Sequence, residues 1–175
     1  MRQPERPAIL DIEASGFGPH SYPIEVGFAL ADGERYSRLI TPEPDWTHWC
    51  EQAQSVHGIA RQQLHQHGHP VRAVATELNR RLAGLTLYSD GWVVDKPWLV
   101  TLFTAAGIAP RFSLSALEMI LSEAQMAIWH RVKNQVTAER PMARHRASHD
   151  AWIIQETYRR SLAEVRPLRR LGRAG

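Results

Sequence analysis

The chain has 175 residues, 43% of them hydrophobic and 22% charged, with a formal net charge of +3. That length fits one domain with a buried core and leaves little for a second folded unit, and the composition excludes disordered and fibrous classes. No run of about 18 apolar residues is present to span a bilayer, and the opening MRQPERPAIL has no long apolar stretch, so a cytoplasmic protein with no membrane partner is expected. The lone Cys50 excludes an intramolecular disulfide and a cysteine-built zinc cluster. Nearly all the basic residues are arginine, a side chain that grips phosphate bidentately.

In chain order, Ala8 to Ala14 alternates. Ala8, Leu10, Ile12 and Ala14 share one face and Ile9, Asp11 and Glu13 the other, which predicts a strand ending at a functional edge. Pro23 to Ala31 and Arg35 to Ile40 read as two more strands, joined by Ala31-Asp32-Gly33-Glu34, whose Asp-Gly pair is a hairpin signal. Thr41 to Asp45, with two prolines, breaks the pattern. Pro70 then opens an amphipathic helix in which Val71, Val74, Leu78 and Leu82 recur at helical spacing before Gly84 stops it. Leu85 to Ser89 reads as a buried fourth strand, and Asp95 as the cap of a helix through Trp98, Leu99, Leu102 and Phe103 to Gly107. Arg111 to Ser113 supplies a short fifth strand. Ser115 to about Thr137 carries Leu117, Ile120, Leu121, Ala124, Ile128 and Val132 at helical spacing, Pro141 interrupts, and Arg146 to Leu162 forms a last helix. No internal repeat or low-complexity linker divides the chain, so one α/β domain over residues 1–163 is expected, followed by a basic tail over 164–175. From Arg159 onward, Arg160, Arg166, Arg169, Arg170 and Arg173 accompany a single acid, Glu164, which suits either contact with a polyanion or a solvated end.

Asp11 and Glu13 point to the same side of their strand, and two carboxylates so close repel unless a cation separates them. Hard divalent ions accept such an oxygen-rich environment. An Asp-x-Glu pair alone also fits the solvent face of an edge strand, so its neighbours decide its meaning. The strand leads into Ser15-Gly16-Phe17-Gly18, a tight turn whose backbone N–H groups suit a terminal phosphate or ribose, with Phe17 placed to stack on a base. Far downstream, His145-Arg146-Ala147-Ser148-His149-Asp150 sets an imidazole in the loop before the last helix and a carboxylate one turn inside it. Taken singly, these are one of nine histidines and a charge favoured by the helix dipole.

Together, and in this order, the blocks resemble the DEDDh class of 3′-to-5′ exonucleases, which includes proofreading exonucleases, RNase T and oligoribonuclease. Asp11, Glu13 and Gly16 match its Asp-x-Glu block. His145, Ala147 and Asp150 match His-x-Ala-x-x-Asp, whose gap separates this class from the sister class that carries tyrosine. Val56-His57-Gly58-Ile59 resembles the His-Gly-Ile segment that the class places beside the substrate terminus. The middle block departs from the pattern: Asn-x-x-Phe-Asp is replaced by Gly91-Trp92-Val93-Val94-Asp95, with Asp90 as a competitor. Asp95 is preferred because Lys96-Pro97-Trp98-Leu99 after it keeps the class's Asp-x-x-aromatic-Leu helix start. The resemblance runs from about Ala8 to Tyr158.

The resemblance implies an RNase H-like, three-layer α/β fold, with a mixed, mostly five-stranded sheet flanked by helices. It implies a metal-dependent exonuclease that removes nucleotides from the 3′ end of single-stranded or short RNA or DNA, with RNA favoured. By the same resemblance, Asp11 bridges two divalent cations, Glu13 and Asp150 hold the ion that activates water, Asp95 supports the second ion and His145 is the general base. Ala14, Ser15, Gly16, Phe17, His57, Ile59 and Trp98 are the expected contacts to the substrate terminus, with Ile59 helping to wedge the terminal base. The all-carboxylate ligand set favours Mg²⁺ or Mn²⁺ over zinc or copper. A homodimer is expected by analogy with free-standing members of the class. Two other readings compete. A non-catalytic nucleic-acid-binding scaffold has no need of four carboxylates and a histidine. A phosphatase with Asp11 as covalent nucleophile wants aspartate at position 13 and leaves His145 and Asp150 unexplained.

Overall fold

The computed structural model describes residues 4–139 and 146–166. Among these, a five-stranded sheet has the order β3-β2-β1-β4-β5, built from β1 (Ile9–Ala14), β2 (Pro23–Ala29), β3 (Arg35–Leu39), β4 (Thr86–Ser89) and β5 (Ser113–Ala116). β1, β2 and β3 are antiparallel neighbours, whereas β4 runs parallel to β1 and to β5. The sheet is mixed, with β1 at its centre.

The alternation along β1 has the consequence read from the sequence. Leu10 and Ile12 enter the main core with Val26 and Phe28 of β2, beneath α3 (Val71–Leu82) and α4 (Trp92–Ala106). Ile9 faces the other way, into a second cluster with Ala151, Ile154 and Tyr158 of α6 (Ala147–Val165). Asp11 and Glu13 share that second face. α5 (Glu123–Glu139) joins α6 through Val132, Val136 and Ile153, completing three layers. The β2–β3 hairpin closes at Asp32-Gly33: Gly33 has φ +95°, and Asp32 Oδ1 accepts the Glu34 N–H at 2.9 Å.

Several elements differ from the sequence reading. The stretch between Asp45 and Pro70 contains two unforeseen helices, α1 (Glu51–His57) and α2 (Arg61–His67), separated at Gly58, whose φ of +68° is a left-handed helix end. α4 begins at Trp92, so Gly91 occupies the cap position and Asp95 is a buried residue of the first turn. The early start leaves Pro97 inside the helix, where its missing N–H leaves the Val93 carbonyl without its helical donor. Val93 is exposed, so water can take that acceptor. The expected helix from Ser115 is instead the end of β5, a 3₁₀ turn (Leu117–Ile120) and then α5. Ser122 starts α5 reciprocally: its Oγ accepts the Gln125 N–H and Gln125 Oε1 accepts the Ser122 N–H, both at 3.3 Å. α6 continues through Val165, past the expected domain boundary at 163. Arg169, Arg170 and Arg173 of the expected tail, and Pro141, lie outside the described residues.

Candidate active site

The site is assembled by β1, β2 and the first turn of α6. In the β1–β2 register, Asp11 lies beside Gly27 and Glu13 beside Glu25. Gly27 lets α6 come down onto the sheet: a Cβ there would lie 2.2 Å from the Ser148 nitrogen and 2.4 Å from the Ala147 carbonyl carbon. Glu25, fully buried, fixes the same point. Its carboxylate accepts the Ala147 N–H at 3.0 Å and Arg146 Nη2–H at 2.7 Å, capping α6 with charge-assisted bonds. Asp150, one turn further on, is thereby brought over β1. One carboxylate oxygen from each of Asp11, Glu13 and Asp150 lies within 4.8 Å of the others.

Asp95 approaches from α4. It is only 3% exposed, and Ser89 Oγ donates to its Oδ2 while accepting the Gly91 N–H at 2.9 Å. Asp90, the competing residue, is turned to α5 and accepts a hydrogen bond from Lys133 Nζ.

Crowding of acids dominates the electrostatics. Burial, then the Asp95, Glu13, Asp150 and Asp90 carboxylates, hold Asp11 well above the usual carboxylate range. Burial and then Asp150, Glu25 and Asp95 push Glu13 up to about 8, against the lowering effect of Arg146. Burial pushes Asp95 up to about 7, opposed by the Ser89 hydrogen bond. Such a cluster is at odds with itself without a cation.

The residues expected to meet the substrate separate into two groups. Phe17, 71% exposed, and Trp98 line one groove of about 230 Å³ together with Val93, Val94 and Pro97. Ala14, Ser15, Gly16, His57 and Ile59 are buried instead. The Ser15 N–H donates to the Tyr22 carbonyl at 2.9 Å, the Ser15 carbonyl accepts the Cys50 N–H at 2.9 Å, and Ser15 Oγ accepts the Tyr22 N–H at 3.1 Å. Gly16 is needed for close packing, since a Cβ there would meet His48 Nε2 at 2.6 Å. The Gly18 N–H is occupied by Ser21 Oγ, so the turn's N–H groups are partly used internally. His57 Nδ1 accepts the Ile59 N–H at 3.0 Å, and Ile59 packs with Tyr22, Ile24 and Leu64 rather than projecting as a wedge. His145 lies outside the described residues. Sequence reasoning missed Glu25, Gly27 and Lys133, because each acts through a partner distant in the chain. A cavity of about 720 Å³ is lined by Glu5, Arg6, Arg159 and Arg166, away from Asp11, Glu13, Asp95 and Asp150.

No protein-family model and no curated protein sequence matches the chain. Solved structures do, and they bear out the expected RNase H-like α/β fold. E. coli Exonuclease I in complex with a dT13 oligonucleotide matches with a TM-score of 0.67 at 14% identity, over 91% of this chain and 41% of that one. Its complex with a dA16 oligonucleotide gives 0.65 at 13% identity, over 87% and 39%. A moderately thermophilic Exonuclease I from Methylocaldum szegediense gives 0.56 at 13% identity, over 73% and 30%. This chain therefore spans less than half the length of those structures. At such identities the likeness is one of fold.

Among the described residues, no helix is long and apolar enough to cross a membrane.

Proposed function

We propose that the chain is a metal-dependent 3′-to-5′ exonuclease acting on single-stranded or short nucleic-acid ends. The observation that carries this reading is the convergence of Asp11, Glu13 and Asp150 oxygens within 4.8 Å of one another. The donor set fits a hard divalent cation: it is all oxygen, and burial and then the neighbouring carboxylates raise the pKa values of Asp11 and Glu13, a penalty on charge that a cation relieves. Asp11, Glu13 and Asp150, with Asp95 supporting a second ion, would hold Mg²⁺ or Mn²⁺, which when bound neutralises charge on a phosphodiester and acidifies water.

The chain's own residues do the rest. Glu25 and Arg146 fix the start of α6, and His145, immediately before Arg146 in sequence, accepts the proton of the attacking water in this reading. Phe17 and Trp98 offer stacking surfaces to terminal bases, worth about 1–3 kcal/mol per base. RNA is the sugar favoured by the resemblance, while the oligonucleotides bound to E. coli Exonuclease I are DNA. The dimer implied by the same resemblance is read from light scattering.

The test incubates RNA and DNA strands of equal sequence, labelled at the 5′ end, with Mg²⁺ or Mn²⁺. A ladder shortening one nucleotide at a time from the 3′ end and abolished by chelator is expected, and the two rates give the sugar preference. Intact strands with both metals, or cuts confined to internal positions, would contradict the reading.

A further inference from the structure

We propose that Lys133 is a phosphate-contacting residue, which grips the strand beside the bond being cut by exchanging its bond to Asp90 for one to the neighbouring phosphate. The proposal rests on the exonuclease reading above.

Lys133 projects from α5, and its ammonium donates to Asp90 Oδ2. A cavity of about 200 Å³ is lined by Asp11, Asp90, Lys133, Thr137 and Asp150, so the ammonium shares a wall with two of the expected metal ligands. The same Asp90–Lys133 pair also lines a second cavity, of about 280 Å³, with Glu118, Leu121, Met126, Trp129 and His130. The pair stands between the carboxylate cluster and a partly apolar, aromatic groove. A strand passing from one to the other crosses the ammonium.

Charge gives the lysine its purpose. Asp11, Glu13, Asp90, Asp95 and Asp150 together repel a polyanion, and Lys133 is the one cation among the described residues lining the first cavity. Stability explains the pair poorly, because both side chains are partly exposed, at 36% and 22%, and such pairs contribute little. The residue type also fits. Of 21 Lys and Arg residues, only Lys96 and Lys133 are lysine. A compact ammonium with three donors on a flexible stem can pass between Asp90 and a phosphate oxygen, whereas a guanidinium fork favours a fixed bidentate partner.

The contact falls on the neighbouring phosphate rather than on the one attacked. Asp90, which holds the ammonium, stands outside the Asp11, Glu13 and Asp150 group whose oxygens lie within 4.8 Å of one another, and it lines the second cavity as well as the first. The ammonium is therefore to one side of the cluster.

The test compares the parent, Lys133→Met and Lys133→Arg on a 5′-labelled oligonucleotide and on the 4-nitrophenyl ester of a 5′-mononucleotide. The ester carries a scissile phosphodiester and no neighbouring phosphate. In Lys133→Met, kcat/KM on the oligonucleotide should fall about tenfold or more relative to the ester, the scale of one charged hydrogen bond. The slope of log kcat/KM against log salt should become shallower by about 0.7, the share of one phosphate contact on a single strand. Lys133→Arg should keep the parent slope. Equal losses on both substrates with an unchanged slope, or a variant indistinguishable from an active parent, would overturn the proposal and leave Lys133 as a tether of α5. A parent inactive on both substrates with either metal would overturn the exonuclease reading itself.

Discussion

Burial and four neighbouring carboxylates disfavour charge on Asp11, so replacing it with a neutral amide should act oppositely on activity and stability. Asp11→Asn is expected to leave no ladder above background. In chelator at pH 8 it should melt at a higher temperature than the parent, because an isosteric amide removes the repulsion. A folded variant with near-normal turnover would remove Asp11 from the site. Asp95 and Asp90 are separated by the same kind of measurement. Asp95 is buried beside Ser89 and acts strongly on Asp11, whereas Asp90 faces Lys133. Asp95→Ala should therefore lose more turnover than Asp90→Ala, and the reverse ranking would make Asp90 the ligand. The positions of Asp11 and Glu13 on one strand face and of Asp150 in the first turn of a helix were legible from strand alternation and helix position, whereas their joining into one site was expected only from the resemblance. The burial of Ser15, Gly16 and Ile59 was not legible, since it depends on Tyr22, His48, Cys50 and Leu64, whose places are set by the fold.

At the scale of elements, the site depends on how closely α6 meets β2. Gly27→Ala would drive a Cβ into helix backbone at 2.2 Å, and backbone cannot rotate away as a side chain can. Overpacking of this kind costs about 1–3 kcal/mol, and each kcal/mol lowers the melting temperature of a chain this size by about 2–4 °C. The shift should also carry Asp150 off the cluster, so that half-maximal activity needs more Mn²⁺. Gly18→Ala is the control for the melting temperature, since a Cβ there meets nothing within 4 Å. An unchanged Mn²⁺ requirement in Gly27→Ala would show that α6 placement tolerates a wider gap. β1, β2 and α3 were readable because their apolar periods are long and uninterrupted, whereas β5, expected at Arg111 to Ser113, lies at Ser113–Ala116, a run of four residues being too short for its period to set its bounds. α1 and α2 were not readable: each is seven residues long with few buried side chains, and Leu64 of α2 is held by Tyr22 and Ile24, which are distant in the chain. The 3₁₀ turn before α5 shares its apolar spacing with a helix, and only the Ser122–Gln125 capping pair marks the true start.

For the whole molecule, the burial and crowding of these carboxylates set a pH dependence. Glu13 is pushed up to about 8 and Asp95 to about 7 when folded, whereas unfolded carboxyls titrate near 4. Between those values the folded chain binds more protons than the unfolded chain, so its stability falls as pH rises. Metal-free protein melted in chelator should lose stability from about pH 5 to about pH 8, and excess Mn²⁺ should remove most of that decline. A melting temperature that rises across this range in chelator would contradict the crowding of buried charge.

Whether these carboxylates form a metal centre is decided by anomalous diffraction from crystals soaked in Mn²⁺. An anomalous peak bounded by Asp11, Glu13 and Asp150 is expected in the parent and should be lost in Asp11→Asn. Crystals of the parent that diffract well and show no peak between those three carboxylates would contradict it.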